Sequence, residues 1–176
     1  EAPGNWYRGN LHLHTNRSDG RFTPQEMVDR YRNAGYDFVA ITDHEANAGG
    51  EPVKPHPAAE LTQDAFLVLT GAEYGVKVRG EMVHLGVVGP GFDTAPAGNA
   101  EPATALRNWW DKGAFAWWAH PYWSNNGTVL LEESDFLPAL EVYNHSCEVW
   151  NGKGFSPAHW DRMLALGKPL LGLAVD

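Results

Sequence analysis

The residues with the clearest chemical potential are His12 and His14 in Asn10-Leu11-His12-Leu13-His14-Thr15. On a strand, successive side chains alternate faces, so the two imidazoles share one face and Leu11 and Leu13 take the other. Neutral imidazole is the commonest side-chain metal ligand near neutral pH, and a strand holds two of them at a fixed separation. Alone, the pair reads first as the wet face of a half-buried strand. The rest of the chain shifts that reading. Polar residues recur at or just past the ends of apolar strands: His12, His14, His44, Glu73, His120, Asn144 and Asp176, with His84 on an adjoining hairpin. Five of the eight histidines fall in this set, which favours a multinuclear metal centre over scattered core or turn roles. Asp19 joins as a possible carboxylate ligand, although Asp19-Gly20 is equally a turn signal. Nitrogen and oxygen donors suit Zn, Mn or Fe. Cys147, the only cysteine, excludes an intrachain disulfide framework and a thiolate-rich zinc site.

The elements that must position these groups alternate. A first strand is expected from about Tyr7 to His14, then a loop through Ser18-Asp19-Gly20. Thr23, Pro24 and Glu26 form a capping-box start for a helix carrying Met27, Tyr31 and Ala34, which Gly35 ends. Phe38–Ile41 is a continuous apolar strand of the kind covered on both faces, running into Thr42-Asp43-His44-Glu45. Together these make a right-handed βαβ unit with parallel strands. A strand at Phe66–Leu69, ending at Glu73, follows a Pro-rich connection in which His56 reads as a surface loop residue. Met82–Gly89 is its hairpin partner, with the turn around Lys77 to Gly80. A helix bearing Leu106, Trp109 and Trp110 stops at Gly113, and strand Phe115–Ala119 runs into His120-Pro121. Leu140–Asn144 is a further strand. The last helix starts at Ser156-Pro157, with His159 on its exposed side, and Leu170–Val175 is the last strand. Strand, polar terminus, helix is the grammar of an α/β barrel, whose chemistry gathers at the carboxyl ends of the strands. The eight tryptophans sit mostly at helix faces or strand interiors, which suits core packing better than base stacking.

Composition sets the outer bounds. A chain of 176 residues, 43% hydrophobic and 20% charged, predicts one globular domain. The net charge of −9 and the lack of any Lys/Arg run exclude a footprint for a nucleic-acid backbone. No apolar run is long enough to span a bilayer. Glu1-Ala2-Pro3-Gly4 lacks the features of a signal peptide and is compatible with a processed exported protein or a trimmed chain.

Asn10–Thr15, Ser18-Asp19-Gly20, Ala40-Ile41-Thr42-Asp43-His44, Ala119-His120-Pro121 and Ala174-Val175-Asp176 resemble, in order, the successive motifs of the PHP family, named for polymerase and histidinol phosphatase. Trp6-Tyr7-Arg8-Gly9-Asn10 resembles a stand-alone, often exported branch that includes carbaryl-hydrolase-like enzymes, which favours a periplasmic or secreted location over a cytoplasmic one. The resemblance implies a distorted seven-stranded (β/α) barrel with up to three divalent metals. It places His12, His14, Glu73 and Asp176 around one metal, with Glu73 bridging to a second held by His84 and His120. Asp19 and His44 would hold a third, which in the family also uses the histidine of an Asp-x-His motif. Here the chain stops at the aspartate, so the form is expected to be truncated after its last strand.

The expected activity is phosphate-ester hydrolysis by a metal-bridged hydroxide, with Asp176 or a nearby histidine orienting the nucleophile or protonating the leaving group. Tyr122, Asn144 and His145 are the candidates for the substrate side. Two alternatives stand beside it: a carbamate or carboxylic ester hydrolase on the same centre, and a non-catalytic metal-stabilised module. Phosphate recognition normally wants Arg or Lys, and only Lys77, Arg79 and Lys153 lie near candidate loops.

Overall fold

The computed structural model describes residues 4–63, 65–92 and 95–175. Seven strands lie in one sheet in sequence order, forming a mixed α/β, nearly closed barrel of the expected class. They are β1 (Gly9–Asn10), β2 (Phe38–Ile41), β3 (Leu67–Val78), β4 (Glu81–Val88), β5 (Phe115–Trp118), β6 (Ala139–Asn144) and β7 (Leu171–Val175). Helices α1 (Pro24–Asn33), α2 (Pro102–Trp110), α3 (Thr128–Glu133), α4 (His145–Asn151) and α5 (Pro157–Ala165) connect them. Pairings β1–β2, β2–β3, β5–β6 and β6–β7 are parallel, whereas β3–β4 and β4–β5 are antiparallel.

Local chemistry accounts for most of these elements. Thr23 and Glu26 exchange both capping-box hydrogen bonds at the start of α1, and Pro24 occupies the first turn. The β3–β4 turn is Arg79-Gly80, with φ of 51° and 87°, the left-handed pair that a tight hairpin of this twist demands. Helices α3 and α4 had no expectation in the sequence because each is short. Lys168 collects the carbonyls of Leu131, Glu132 and Ser134 at the end of α3, and the Asn144 side chain caps α4 through the Cys147 amide.

Two strand boundaries differ from expectation. Regular pairing of β1 ends at Asn10, because beyond it the Thr42 hydroxyl and the Asn10 side chain take over backbone hydrogen bonds of residues 12 and 13. Strand β3 does not end at Glu73 but continues to Val78. Its first four residues pair in parallel with β2 and its remaining eight antiparallel with β4. Glu73 therefore lies just past the changeover, opposite Gly86.

Alternation along β3 separates chemistry from packing. Ala72, Tyr74 and Val76 join Leu106 and Trp109 of α2, Leu131 of α3 and Met163 of α5 in the largest apolar cluster. A second cluster packs Val28 and Tyr31 of α1 on Val39, Ile41 and Val68. Glu73, on the opposite face of β3 from Ala72 and Tyr74, is fully buried among polar groups instead.

Candidate metal centre

The loop after β1 is built around Asp43. Its carboxylate accepts hydrogen bonds from the Thr15 amide (2.6 Å), the Thr15 hydroxyl (2.8 Å) and the Ser18 hydroxyl (2.8 Å). Gly20 lets this loop fold back, since a Cβ there would lie 2.5 Å from the His14 carbonyl oxygen. The result sets Asp19 Oδ1 2.7 Å from His14 Nδ1, with Asp19 Oδ2 3.6 Å from His44 Nε2.

Five imidazoles converge on Glu73, divided between its two oxygens. Oε2 lies 2.9 Å from His14 Nε2, 3.2 Å from His12 Nε2 and 3.3 Å from His44 Nδ1. Oε1 lies 3.0 Å from His120 Nε2 and 3.2 Å from His84 Nδ1. Four groups of described residues can hold a cation: His12, His14 and Glu73; Glu73, His84 and His120; His14, Asp19 and His44; and His12, His120 and Glu141. His14 belongs to the first and third, whereas the sequence expectation gave the third only Asp19 and His44.

A second buried carboxylate, Glu141 on β6, was not singled out from the sequence. It accepts from Trp117 Nε1 (2.7 Å), the His120 amide (2.9 Å) and Asn144 Nδ2 (3.2 Å), and pairs with His12 Nδ1 at 2.6 Å. A proton on His12 Nδ1 leaves the Nε2 lone pair facing the cluster, the tautomer a metal ligand needs. Gly86 makes room for this: a Cβ would fall 2.1 Å from the Trp117 ring, displacing the indole that reaches Glu141. His120 adopts φ of 22°, a conformation costly for a residue with a side chain, and the hydrogen bond that its backbone N–H donates to Glu141 helps hold it there. The available signal was a lone carboxylate inside an otherwise apolar strand.

Electrostatics point to a cation site. Burial alone would push Glu73 upward, but His12 and the other imidazoles hold it well below the usual carboxylate range. Glu141 is likewise lowered against burial, chiefly by His12. Burial disfavours the charged form of His14, yet hydrogen bonds to Asp19 and Glu73 raise it to about 9. His12 and His84 are also raised against their burial, by Glu141 and Glu73 for the first and mainly by Glu73 for the second. Asp19 is lowered, first by its hydrogen bond to His14. The negative charge here is thus balanced by protons that a divalent cation can replace. The donors fit such an ion. His84 Nδ1 is buried beside Glu73 yet has no hydrogen-bond partner among the described residues. His12 Nε2 and His14 Nε2 face each other at 3.0 Å, and five ring nitrogens crowd a carboxylate with about four lone-pair sites.

The cluster forms the floor of a cleft of about 300 Å³, walled by Trp123, Asn144, Ser146, Cys147 and Trp150. Of the residues expected on the substrate side, Asn144 lines this cleft, although its side chain is committed to Glu141 and the α4 cap. Tyr122 and His145 are not among the lining residues; His145 Nδ1 lies 2.9 Å from the Tyr143 hydroxyl. Asp176 lies outside the described residues. Lys77, Arg79 and Lys153 do not line the cleft, and Arg79 and Lys153 are engaged by Glu133 and Asn125. His159 is buried rather than exposed, with Nε2 2.9 Å from the Asn126 carbonyl oxygen, and His56 is half-buried.

A seven-stranded α/β barrel with a histidine–carboxylate floor defines a class that comparison makes specific. The model of the PHP domain matches residues 10–132, and the chain belongs to that family. It is 35% identical over 95 residues to a 3',5'-nucleoside bisphosphate phosphatase of Chromobacterium violaceum, a match covering 54% of this chain and 30% of the relative. A two-domain Bacteroides vulgatus protein, described as containing a PHP-like metal-dependent phosphoesterase, superimposes with a TM-score of 0.63 at 20% identity, over 93% of this chain and 50% of that one. A Bifidobacterium adolescentis protein described as a metal-dependent phosphoesterase gives 0.61 at 18% identity, over 96% and 86%. At these identities the two structures bear on the fold alone. The chain spans about a third of the length of the curated phosphatase it matches.

Proposed function

We propose that this chain carries the centre of a divalent-metal-dependent phosphoesterase. The observation that carries the reading is Glu73, fully buried, with five imidazoles divided between its two oxygens. His12 and His14 would hold one ion with Glu73, His84 and His120 a second with the same carboxylate, and Asp19 and His44 a third beside His14. Asp176 keeps the ligand role that the family resemblance gives it, and it or a nearby histidine would orient the nucleophile or protonate the leaving group. Divalent Zn, Mn or Fe in such a site polarises the phosphoryl oxygen and brings the pKa of water towards neutrality. The chain's own residues prepare that chemistry. Glu141 fixes the His12 tautomer, Ser124 lies 3.1 Å from His120 Nδ1 and helps orient that ring, and Asp43 sets the loop that presents Asp19. The curated relative acts on a nucleoside bisphosphate, which supports a phosphate ester as the substrate class.

The test is turnover of a phosphate monoester, a phosphodiester, an aryl carboxylic ester and an aryl carbamate by protein reconstituted with Mn or Zn. Phosphate-ester hydrolysis that a chelator abolishes and metal restores is the expected result. Because none of the lysines and arginines of the described residues lines the cleft, carbamate or carboxylic ester hydrolysis is the second reading, and faster turnover of those substrates would favour it. No turnover of any of the four by metal-loaded protein would leave the metals a structural role.

A further inference from the structure

The wall of the cleft beside His84 and His120 is aromatic, and nothing in the proposed metal chemistry requires it to be. Trp123, in the turn after His120-Pro121, lies with its ring centre 5.1 Å from that of His120 and 6.1 Å from that of His84. Its indole Nε1 is buried with no hydrogen-bond partner among the described residues, a donor left unused at some cost. Trp150 of α4 continues the wall, 6.0 Å from Trp123 ring to ring, lines the cleft, and is 76% exposed. An exposed tryptophan of this kind packs no core, contrary to the general expectation for the tryptophans of this chain.

We infer that Trp123 and Trp150 form a stacking subsite for a planar aromatic group carried by the phosphate ester, with the phosphate directed to the histidine cluster. The inference rests on the phosphoesterase reading for the identity of the ester. Trp123 adjoins the metal-ligand candidates, within reach of a ring bonded directly to the ester oxygen. Trp150 lies one ring further out, where a base separated from phosphorus by a sugar would sit. Stacking on an aromatic side chain tolerates any flat ring, and its loss weakens binding by roughly tenfold per ring. Neutral rings also suit a cleft whose described lining has no lysine or arginine, because affinity then comes from surface contact as well as charge.

The experiment compares metal-loaded wild type with Trp150→Ala, Trp150→Phe and Trp123→Phe, using adenosine 5'-monophosphate, 4-nitrophenyl phosphate and glycerol 2-phosphate. KM and kcat are measured for each, together with calorimetric binding of the same three compounds. Trp150→Ala is expected to weaken binding and raise KM for the nucleotide about tenfold, with kcat within twofold, and to leave glycerol 2-phosphate unchanged. Trp150→Phe should restore most of the loss. An equal loss for 4-nitrophenyl phosphate in Trp150→Ala keeps the subsite but overturns the assignment of its outer ring to a base; a loss for the nucleotide alone supports that assignment. Unchanged preference for aromatic over glycerol esters in all three variants overturns the inference. So does an altered oligomeric state of Trp150→Ala with unchanged preference, which would make the patch a self-association surface. If no ester is hydrolysed, the phosphoesterase reading fails by itself, and calorimetry still decides: wild type binding the nucleotide no better than glycerol 2-phosphate excludes the subsite.

Discussion

Glu73 and Glu141 are both fully buried carboxylates, both lowered in pKa, and both in contact with His12, yet their surroundings differ in kind. Glu141 meets four fixed donors: an imidazole, an indole, a backbone amide and a carboxamide. Its hydrogen bonding is complete within the protein. Among the described residues the Glu73 carboxylate meets imidazole nitrogens alone, more of them than it has lone-pair sites, and one of those, His84 Nδ1, has no hydrogen-bond partner there. A saturated carboxylate holds structure, whereas one ringed by competing nitrogens is an invitation to cations. Glu141 also stands with His12 and His120 in a group that can hold a cation, but its fixed donors already occupy it, so the same charge and burial serve different ends in the two carboxylates.

The widest separation between the two is expected from substitution. Glu73→Gln should lower phosphate-ester turnover by 10²-fold or more with a far smaller effect on folding, because a neutral amide cannot neutralise cations on both of its sides. A variant retaining more than about a tenth of the wild-type rate would remove Glu73 from a bridging role. Glu141→Ala should act on the fold itself, costing the metal-free protein about 3–5 kcal/mol by stranding buried donors and His12, and lowering Tm by roughly 10 °C. An unchanged Tm would mean that Glu141 is dispensable to the fold. Trp117→Phe removes one of its donors, and a loss of about 1–3 kcal/mol in chemical denaturation is expected. The smallest effect is that of pH. His14 is raised to about 9, so its contribution to the metal-free fold is fully present below its ordinary value of about 6.5 and is lost as pH rises towards 9. Metal requires the unprotonated ligands, so the Tm gained on adding Mn should grow across the same window. A gain that shrinks from pH 6.5 to 8.5 would contradict the proton-for-metal exchange.

Much of this was legible from pattern alone. The α1 capping box, the β3–β4 hairpin, the sequential strands and the polar residues grouped around their ends all follow from local chemistry and alternation. That His12, His14, His44, Glu73, His84 and His120 gather in one place was readable from their positions at strand ends, whereas Glu73 as the shared carboxylate came from the family resemblance and the approach of His44 to it was not expected. What escaped has a shared cause. Glu141 sits within a strand, and its partners His12, Trp117 and His120 are brought to it only by tertiary packing. Helices α3 and α4 depend on Lys168 and on the dual engagement of Asn144, neither of which leaves a periodic trace. The continuation of β3 past Glu73 depends on its pairing with β4, so a polar residue in mid-strand was read as a strand end. Tyr122 and His145 follow strand ends in sequence, but Tyr122 lies in the turn after His120 and His145 opens α4, and neither lines the cleft, whose wall includes Trp123 and Trp150.

The central claim is that Glu73 gathers cations on both of its oxygens, and metal stoichiometry tests it most directly. Protein stripped with chelator, reconstituted with Mn or Zn, desalted and analysed for bound metal should retain at least two ions per chain. Glu73→Gln treated in the same way should retain fewer than one. Less than one equivalent in the wild type would contradict the claim, as would equal retention by the two proteins.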